Sequence, residues 1–141
     1  MKALDEAKNI LLEEKGAQAL LLGFAHDDQV TEVCYRAGIK QFYSSPQPDR
    51  EGHGGESETS LALYAFPETV RKEIIPQLDA NFDYDVAAFR NETKDYWSLS
   101  GGRGYFGWPQ AATAETGKKL VETRGRNIAT VILAAWGTPP K

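Results

Sequence analysis

Histidine and cysteine are scarce in this sequence, and their scarcity limits the metal chemistry open to it. The 141 residues include two histidines, His26 and His53, and a single cysteine, Cys34. One cysteine excludes both an intramolecular disulfide and a zinc site built on several thiolates. A metal centre made by these residues alone would therefore rest on two imidazoles and on carboxylates.

Long apolar runs and an excess of basic residues are also missing. The longest apolar segment, residues 17–24, is less than half of the roughly 18 residues that a membrane-spanning helix requires. The chain turns acidic at Asp5, which is not typical of a secretory signal. Its 16 basic and 20 acidic residues give a net charge of −4, whereas phosphate binding needs a positive surface. We expect a cytoplasmic protein that binds neither nucleic acid nor membranes.

The hydrophobic pattern predicts one domain over residues 1–141 that opens with a helix and a strand. An apolar face with a helical repeat starts at Leu4 and would end at Gly16, a residue suited to a left-handed cap. The uninterrupted apolar segment 17–24 then predicts a strand buried on both faces, as in a parallel sheet. His26 follows this strand, where ligands collect in open α/β sheets. The aspartates beside it favour a simpler interpretation, the N-cap of a short helix.

The rest of the chain predicts loops and helices more than strands. Residues 41–57 form a predicted loop of the kind found at active sites, because they are rich in Ser, Pro, Gly and charge and lack periodicity. Helices are predicted from Glu58, from Pro67 and over residues 111–135. Segments 84–89 and 99–107 could add at most one or two short strands, so the predicted sheet is incomplete.

The clearest chemical signal lies in residues 52–60, which read GHGGESETS. The glycines permit a tight turn that brings the backbone close to a ligand and aims the imidazole of His53. Because a helix dipole stabilises negative charge at its start, Glu58 is expected to stay ionised and to act as an acceptor or ligand. A neutral imidazole beside carboxylates can shuttle protons. The same spacing also fits a solvated His53 and a Glu58 that only complements the dipole.

Two segments resemble the signature of the creatininase (creatinine amidohydrolase) family. Residues 53–64, HGGESETSLALY, with PETV at residues 67–70, are similar to the pattern HxGExETSxxL…PxxV. Residues 104–117, GYFGWPQAATAETG, are similar to the family segment GxxGxPxxATAExG. Both segments occur in the family's order and spacing. The resemblance covers nearly all of this chain but only about the second half of a typical member.

The resemblance implies an α/β fold, a creatininase-like three-layer α/β/α sandwich with a mainly parallel sheet whose N-terminal half is missing here. It also implies a metal-dependent amidohydrolase that cleaves a non-peptide or cyclic amide C–N bond, with zinc or manganese as the divalent metal. By resemblance, His53 is the proton-transfer histidine and Glu58 is the signature glutamate. Glu56, Gly54 and Gly55 are expected to contact the substrate or to support this pair, and Glu56 is a weak candidate for a metal ligand.

The family's metal-binding segments, of the ExHGxHLP and NGHGxN types, do not occur in this sequence. We therefore expect a C-terminal portion that carries the proton-transfer histidine, lacks most metal ligands and is inactive alone. It would act on a small amide as a homo-oligomer or with a polypeptide that supplies the N-terminal half.

The alternative is a degenerate, non-catalytic domain that serves assembly or ligand binding. The aromatic residues between positions 82 and 108 would then form a contact surface, although core and lid packing explains them more simply. An unrelated enzyme that uses Cys34 and His26 as a nucleophile pair is disfavoured, because no activating motif accompanies them.

Overall fold

A computed structural model of the protein describes residues 2–17, 32–91 and 94–136. Its α-helices are α1 (Lys2–Lys15), α2 (Glu56–Ala65), α3 (Val86–Arg90), α4 (Tyr96–Leu99) and α5 (Ala114–Trp136). A π-helix spans Glu32–Arg36, and 3-10 helices span Lys40–Phe42, Pro48–Arg50, Ile75–Gln77 and Pro109–Ala111. Within these ranges, β-structure is limited to one antiparallel bridge between Asn81 and Gly107.

The first and last predicted helices are confirmed. Gly16 follows α1 in the left-handed conformation, with a φ of 62°, and its N–H donates to the Leu12 carbonyl at 3.0 Å. Helix α5 begins at Ala114, after a 3-10 turn, because the Thr113 hydroxyl accepts the Thr116 N–H at 3.0 Å and so caps its start. The predicted strand 17–24, apart from its first residue, and the polar residues that follow it, His26 among them, lie outside the described residues.

Three local predictions are wrong, two of them because a side chain stabilises a different structure. No helix starts at Pro67: the hydroxyl of Thr69 donates to the Phe66 carbonyl at 2.8 Å, which favours a turn. Segment 84–89, considered for a short strand, contains helix α3 instead. Segment 99–107 consists of the last residue of α4, turns and the single bridge at Gly107. Asp85 and Asp95 cap these helices by accepting the N–H groups of Ala88 and Ser98. Helix α2 begins at residue 56, two residues before the predicted start.

The chain divides into two compact units, Ile39–Thr123 and Met1–Gly38 together with Arg124–Lys141. The core of the first unit is a cluster of Tyr84, Ala88, Leu99 and Phe106, against which Val86 and Phe89 pack. Its rings meet at angles of 56° to 69°, with centroids 4.7 to 5.5 Å apart, a geometry that suits the charge distribution of aromatic faces and edges.

Helical segments and one buried thiol make up the second unit as far as it is described. Cys34 is fully buried. The side chains of Arg124 and Asn127 donate to the carbonyl oxygens of Tyr35 and Ala37, each at 3.1 Å, and so attach α5 to the π-helical segment. No helix in the described ranges combines the length and the apolar character needed to cross a bilayer.

Candidate functional site

The segment before α2, residues 41–55, is held in place by a buried carboxylate; the predicted loop 41–57 thus ends two residues earlier than expected. Glu56, the first residue of α2, has no exposed surface. Its Oε1 accepts the Ser44 N–H at 2.7 Å and its Oε2 accepts the Ser45 N–H at 2.8 Å. Both oxygens of Glu56 therefore contact the loop backbone, and its role as a metal ligand stays a prediction.

A second carboxylate, Glu51, lies beside the first and was missed by the sequence analysis. Its Oε2 accepts the N–H of Glu56 at 2.6 Å, and its Oε1 accepts the N–H of Trp108 at 3.1 Å. The Ser45 hydroxyl also bonds to it. Burial raises the pKa of the Glu51 carboxyl above its ordinary value, against the opposing effect of these three hydrogen bonds.

Glycines make room for the Glu51 carboxylate. A Cβ atom at Gly55 would collide with this carboxylate and with the Phe106 carbonyl oxygen, and a Cβ at Gly107 would collide with the same carboxylate. Gly107 also has a φ of 98°, a conformation that other residues rarely adopt. The two glycines were therefore the feature of the sequence that could have indicated a side chain in this space. The sequence motif gave no reason to assign that side chain to Glu51.

His53 and Glu58, the predicted proton-transfer pair, are in contact. The His53 Nδ1 lies 3.2 Å from the Glu58 Oε1, and the Gly54 N–H donates to the Glu58 Oε2 at 2.9 Å. The two side chains are 52% and 53% exposed, so solvent reaches both of them. A positive φ of 68° at Gly54 forms the turn that brings Glu58 back to the histidine.

The imidazole of His53 also packs against aromatic rings. Its ring centroid lies 5.0 Å from that of Tyr96 and 5.6 Å from that of Phe89. The His53 carbonyl oxygen accepts the Phe106 N–H at 2.8 Å. Part of the aromatic segment is thus core, as its simpler interpretation predicts, and part of it orients the candidate catalytic ring. Trp97 is 67% exposed.

The described residues do not by themselves fit a dinuclear metal centre. Such a centre needs about six protein ligand positions. No group of three or more His, Cys, Asp or Glu side chains in residues 2–17, 32–91 and 94–136 is arranged to hold a metal ion. Glu51 and Glu56 accept backbone N–H groups with their oxygens, whereas the neighbouring His53 and Glu58 have exposed ligating atoms.

The residues of this site belong to a segment that matches the model of a known family. The family model for creatininase, described as creatinine amidohydrolase, matches residues 1–132. The chain belongs to the creatininase family. This family is one of amidohydrolases that are generally metal-dependent, and membership in it indicates an α/β fold. No curated protein and no solved structure matches the chain.

Proposed function

We propose that this chain is the C-terminal portion of a creatininase-type amidohydrolase in which His53 transfers a proton and Glu58 orients it. The substrate is a small molecule with a cyclic or other non-peptide amide C–N bond. The observation that carries the proposal is the contact of 3.2 Å between the His53 Nδ1 and the Glu58 carboxylate, within the segment that resembles the family signature.

The contact supports a defined proton path through the imidazole. An ionised carboxylate can only accept hydrogen bonds, so the nitrogen that faces Glu58 carries a proton in the neutral ring. The other nitrogen, Nε2, then has a free lone pair on the opposite side of the ring. In this arrangement Nε2 takes a proton from a nucleophilic water and gives it to the leaving nitrogen, while Glu58 stabilises the imidazolium that forms in between.

The packing of the ring supports the same role. Tyr96 and Phe89 contact His53 through their rings, and the Phe106 N–H fixes its carbonyl oxygen. A general acid and base works best when its ring is held in one orientation before the substrate arrives. Because the histidine and the glutamate are each about half exposed, a substrate can reach them from solvent.

The metals require residues beyond those described. We propose that zinc or manganese is held mainly by an N-terminal half with the ExHGxHLP and NGHGxN segments, supplied by a separate polypeptide or by the remainder of a longer natural chain. The complete cytoplasmic enzyme would then be an assembly of the two halves in one or more copies. The fold would be the family's three-layer α/β/α sandwich, completed by the strands of the missing half.

Reconstitution tests this proposal. The chain is mixed with a polypeptide that carries both metal-binding segments, zinc or manganese is added, and a panel of cyclic amides and formamides is assayed. We expect no turnover by this chain alone and turnover by the mixture. The variant His53→Gln should lower kcat by about 100-fold or more, the usual contribution of a general acid and base.

A matched glutamate serves as the control. Glu58→Gln should reduce kcat, whereas Glu122→Gln, on an exposed face of α5 beside Lys118, should leave it unchanged. Circular dichroism checks that each variant is folded. A mixture whose turnover survives His53→Gln would contradict the proton-transfer role, and His53-dependent turnover by the chain alone would contradict the need for a second half.

A measurement of metal binding distinguishes the split enzyme from the non-catalytic alternative. It draws support from the described ranges, in which no cluster of three ligating side chains occurs, and from the exposed Trp97. Calorimetric titration of the mixture with zinc or manganese should give stoichiometric binding if the enzyme is split. Absence of both metal binding and turnover in a mixture that associates would favour an assembly or ligand-binding domain.

A further inference from the structure

Glu51 is a partly buried titratable group that the proposed proton transfer does not use. We propose that Glu51 is a positioning residue, which holds His53 and Glu58 at contact distance without touching either of them. This inference rests on the proposed function for its catalytic meaning. Its structural content, the dependence of the His53–Glu58 contact on one carboxylate, stands on hydrogen bonds and can be tested separately.

The first step is the start of α2. The Glu56 N–H is at the first position of this helix, where backbone N–H groups lack a partner within the helix. Glu51 Oε2 accepts it at 2.6 Å, a short bond to a charged acceptor, which is stronger than a bond between neutral groups. Glu58 lies in the same first turn. By fixing where this turn begins, Glu51 fixes where the Glu58 carboxylate is presented.

The second step is the backbone that holds His53. Glu51 Oε1 accepts the N–H of Trp108 at 3.1 Å. Two residues earlier in that segment, the Phe106 N–H donates to the His53 carbonyl oxygen at 2.8 Å, and the Phe106 carbonyl accepts the Gly52 N–H at 3.3 Å. One carboxylate thus connects the segment that holds the histidine with the helix that holds the glutamate.

The third step is a closed set of contacts that keeps Glu51 itself in place. The hydroxyl of Ser45 forms a hydrogen bond with Glu51, and the N–H of Ser45 donates to the Glu56 carboxylate at 2.8 Å. The N–H of Glu56 in turn donates to the Glu51 carboxylate. Three residues therefore restrain one another. The absence of Cβ atoms at Gly55 and Gly107 leaves the space that this arrangement occupies.

The variant Glu51→Gln tests the proposal in the isolated chain. It keeps the size of the side chain but replaces one acceptor oxygen with a donor that faces backbone N–H groups. The tautomer of His53 is read from its ring nitrogen chemical shifts by NMR, and exchange with solvent is followed at the Gly54 N–H. We expect loss of the Nδ1–H tautomer that Glu58 selects. Exchange at Gly54 should be about tenfold faster or more.

Thr113→Ala is the matched control, because it removes a hydroxyl that caps α5 and that contacts Thr116 without touching Glu51. Stability of both variants is measured by urea unfolding, and spectra are compared at equal folded fraction. A change at His53 and Gly54 in Glu51→Gln that is absent in Thr113→Ala supports positioning. An equal change in both variants, or none in Glu51→Gln, would overturn it.

Native-state hydrogen exchange of the unaltered chain covers the case in which Glu51→Gln does not fold. If Glu51 couples the site, the N–H groups of Gly54, Glu56 and Trp108 should exchange through one shared opening with the same dependence on denaturant. Independent opening of Gly54 would refute the proposal. These readouts involve no turnover, so a failed reconstitution would contradict the proposed function and leave this inference standing.

Discussion

The two halves of α5 contact their surroundings in different ways. In residues 114–123, a Cβ atom at Gly117 would overlap the carbonyl oxygen of Ser60 and would lie 2.8 Å from the Cβ of Tyr64. In residues 124–136, a Cβ at Gly125 would meet no heavy atom within 4 Å. The buried residues of the helix, Thr116, Gly117 and Leu120, all lie in its first half.

This difference shows where the chain tolerates change. In the first half, the α2 and α5 backbones approach so closely that only glycine fits, and the Ser60 hydroxyl accepts the Thr113 N–H at 3.1 Å. Because α2 also carries Glu56 and Glu58, an altered crossing would move the candidate site. In the second half, partly buried side chains such as Ile128 and Ile132 make the contacts, and close backbone approach is not needed at Gly125.

A side chain at Gly117 should have the largest effect. Gly117→Val would force the helices apart against a backbone carbonyl that cannot rotate away, and we expect a loss of about 3 kcal/mol or more in the free energy of unfolding. Gly125→Ala on the same helix should gain about 1 kcal/mol, because alanine favours helix and meets no obstacle there. Urea unfolding of the two variants measures both changes.

The opposite signs of these changes are the essential result. If Gly117→Val were as stable as the unaltered chain, the close crossing of α2 and α5 would not exist in solution. If Gly125→Ala were destabilising by a similar amount, the second half of α5 would be as tightly packed as the first. Either outcome would remove the distinction between the two halves.

Removal of the Glu56 carboxylate should have the next largest effect. Glu56→Ala leaves the N–H groups of Ser44 and Ser45 without their acceptor, and an unsatisfied buried N–H costs about 1–3 kcal/mol. We expect a loss of about 2–4 kcal/mol in unfolding free energy, together with faster proteolysis of the segment at residues 41–55. Limited proteolysis and urea unfolding measure these effects.

The control is Glu122→Ala, which removes a helical glutamate that is about half exposed and pairs with Lys118. An exposed pair of this kind contributes less than about 1 kcal/mol. If Glu56→Ala lowered the free energy of unfolding no more than Glu122→Ala does, the loop would not depend on the buried carboxylate. The proteolysis pattern then shows whether the loop has another anchor.

Local patterns in the sequence predicted those features that depend on neighbouring residues. The end of α1 at Gly16, the long helix α5 and the contact-forming segment around His53 all follow from spacing and residue type within a few positions. The contacts of Glu51 could not be predicted in this way, because one of them is to Trp108, which is 57 residues away in the sequence. The ring contact between His53 and Tyr96 is also distant in sequence. Helix α3 was missed because its segment was considered for a strand, while the aspartate that caps it, Asp85, precedes the helix.

The dependence of stability on pH provides the smallest expected effect, with a definite sign. Burial raises the pKa of Glu51 above its ordinary value of 4.5, so the folded chain holds this proton more tightly than the unfolded chain. As pH rises from 4.5 through the raised pKa, the contribution of Glu51 to the unfolding free energy should therefore fall. Glu51→Gln removes this titration, so the difference between the unaltered chain and this variant should depend on pH.

Gly125→Ala, in the second half of α5, supplies the reference because it changes no titratable group. Its difference from the unaltered chain should be constant over the same pH range, since its helix-forming effect does not involve a proton. Urea unfolding at several pH values gives both profiles. A difference for Glu51→Gln that rises with pH, in favour of the unaltered chain, would mean that the hydrogen bonds from Ser45, Glu56 and Trp108 outweigh burial at this carboxylate.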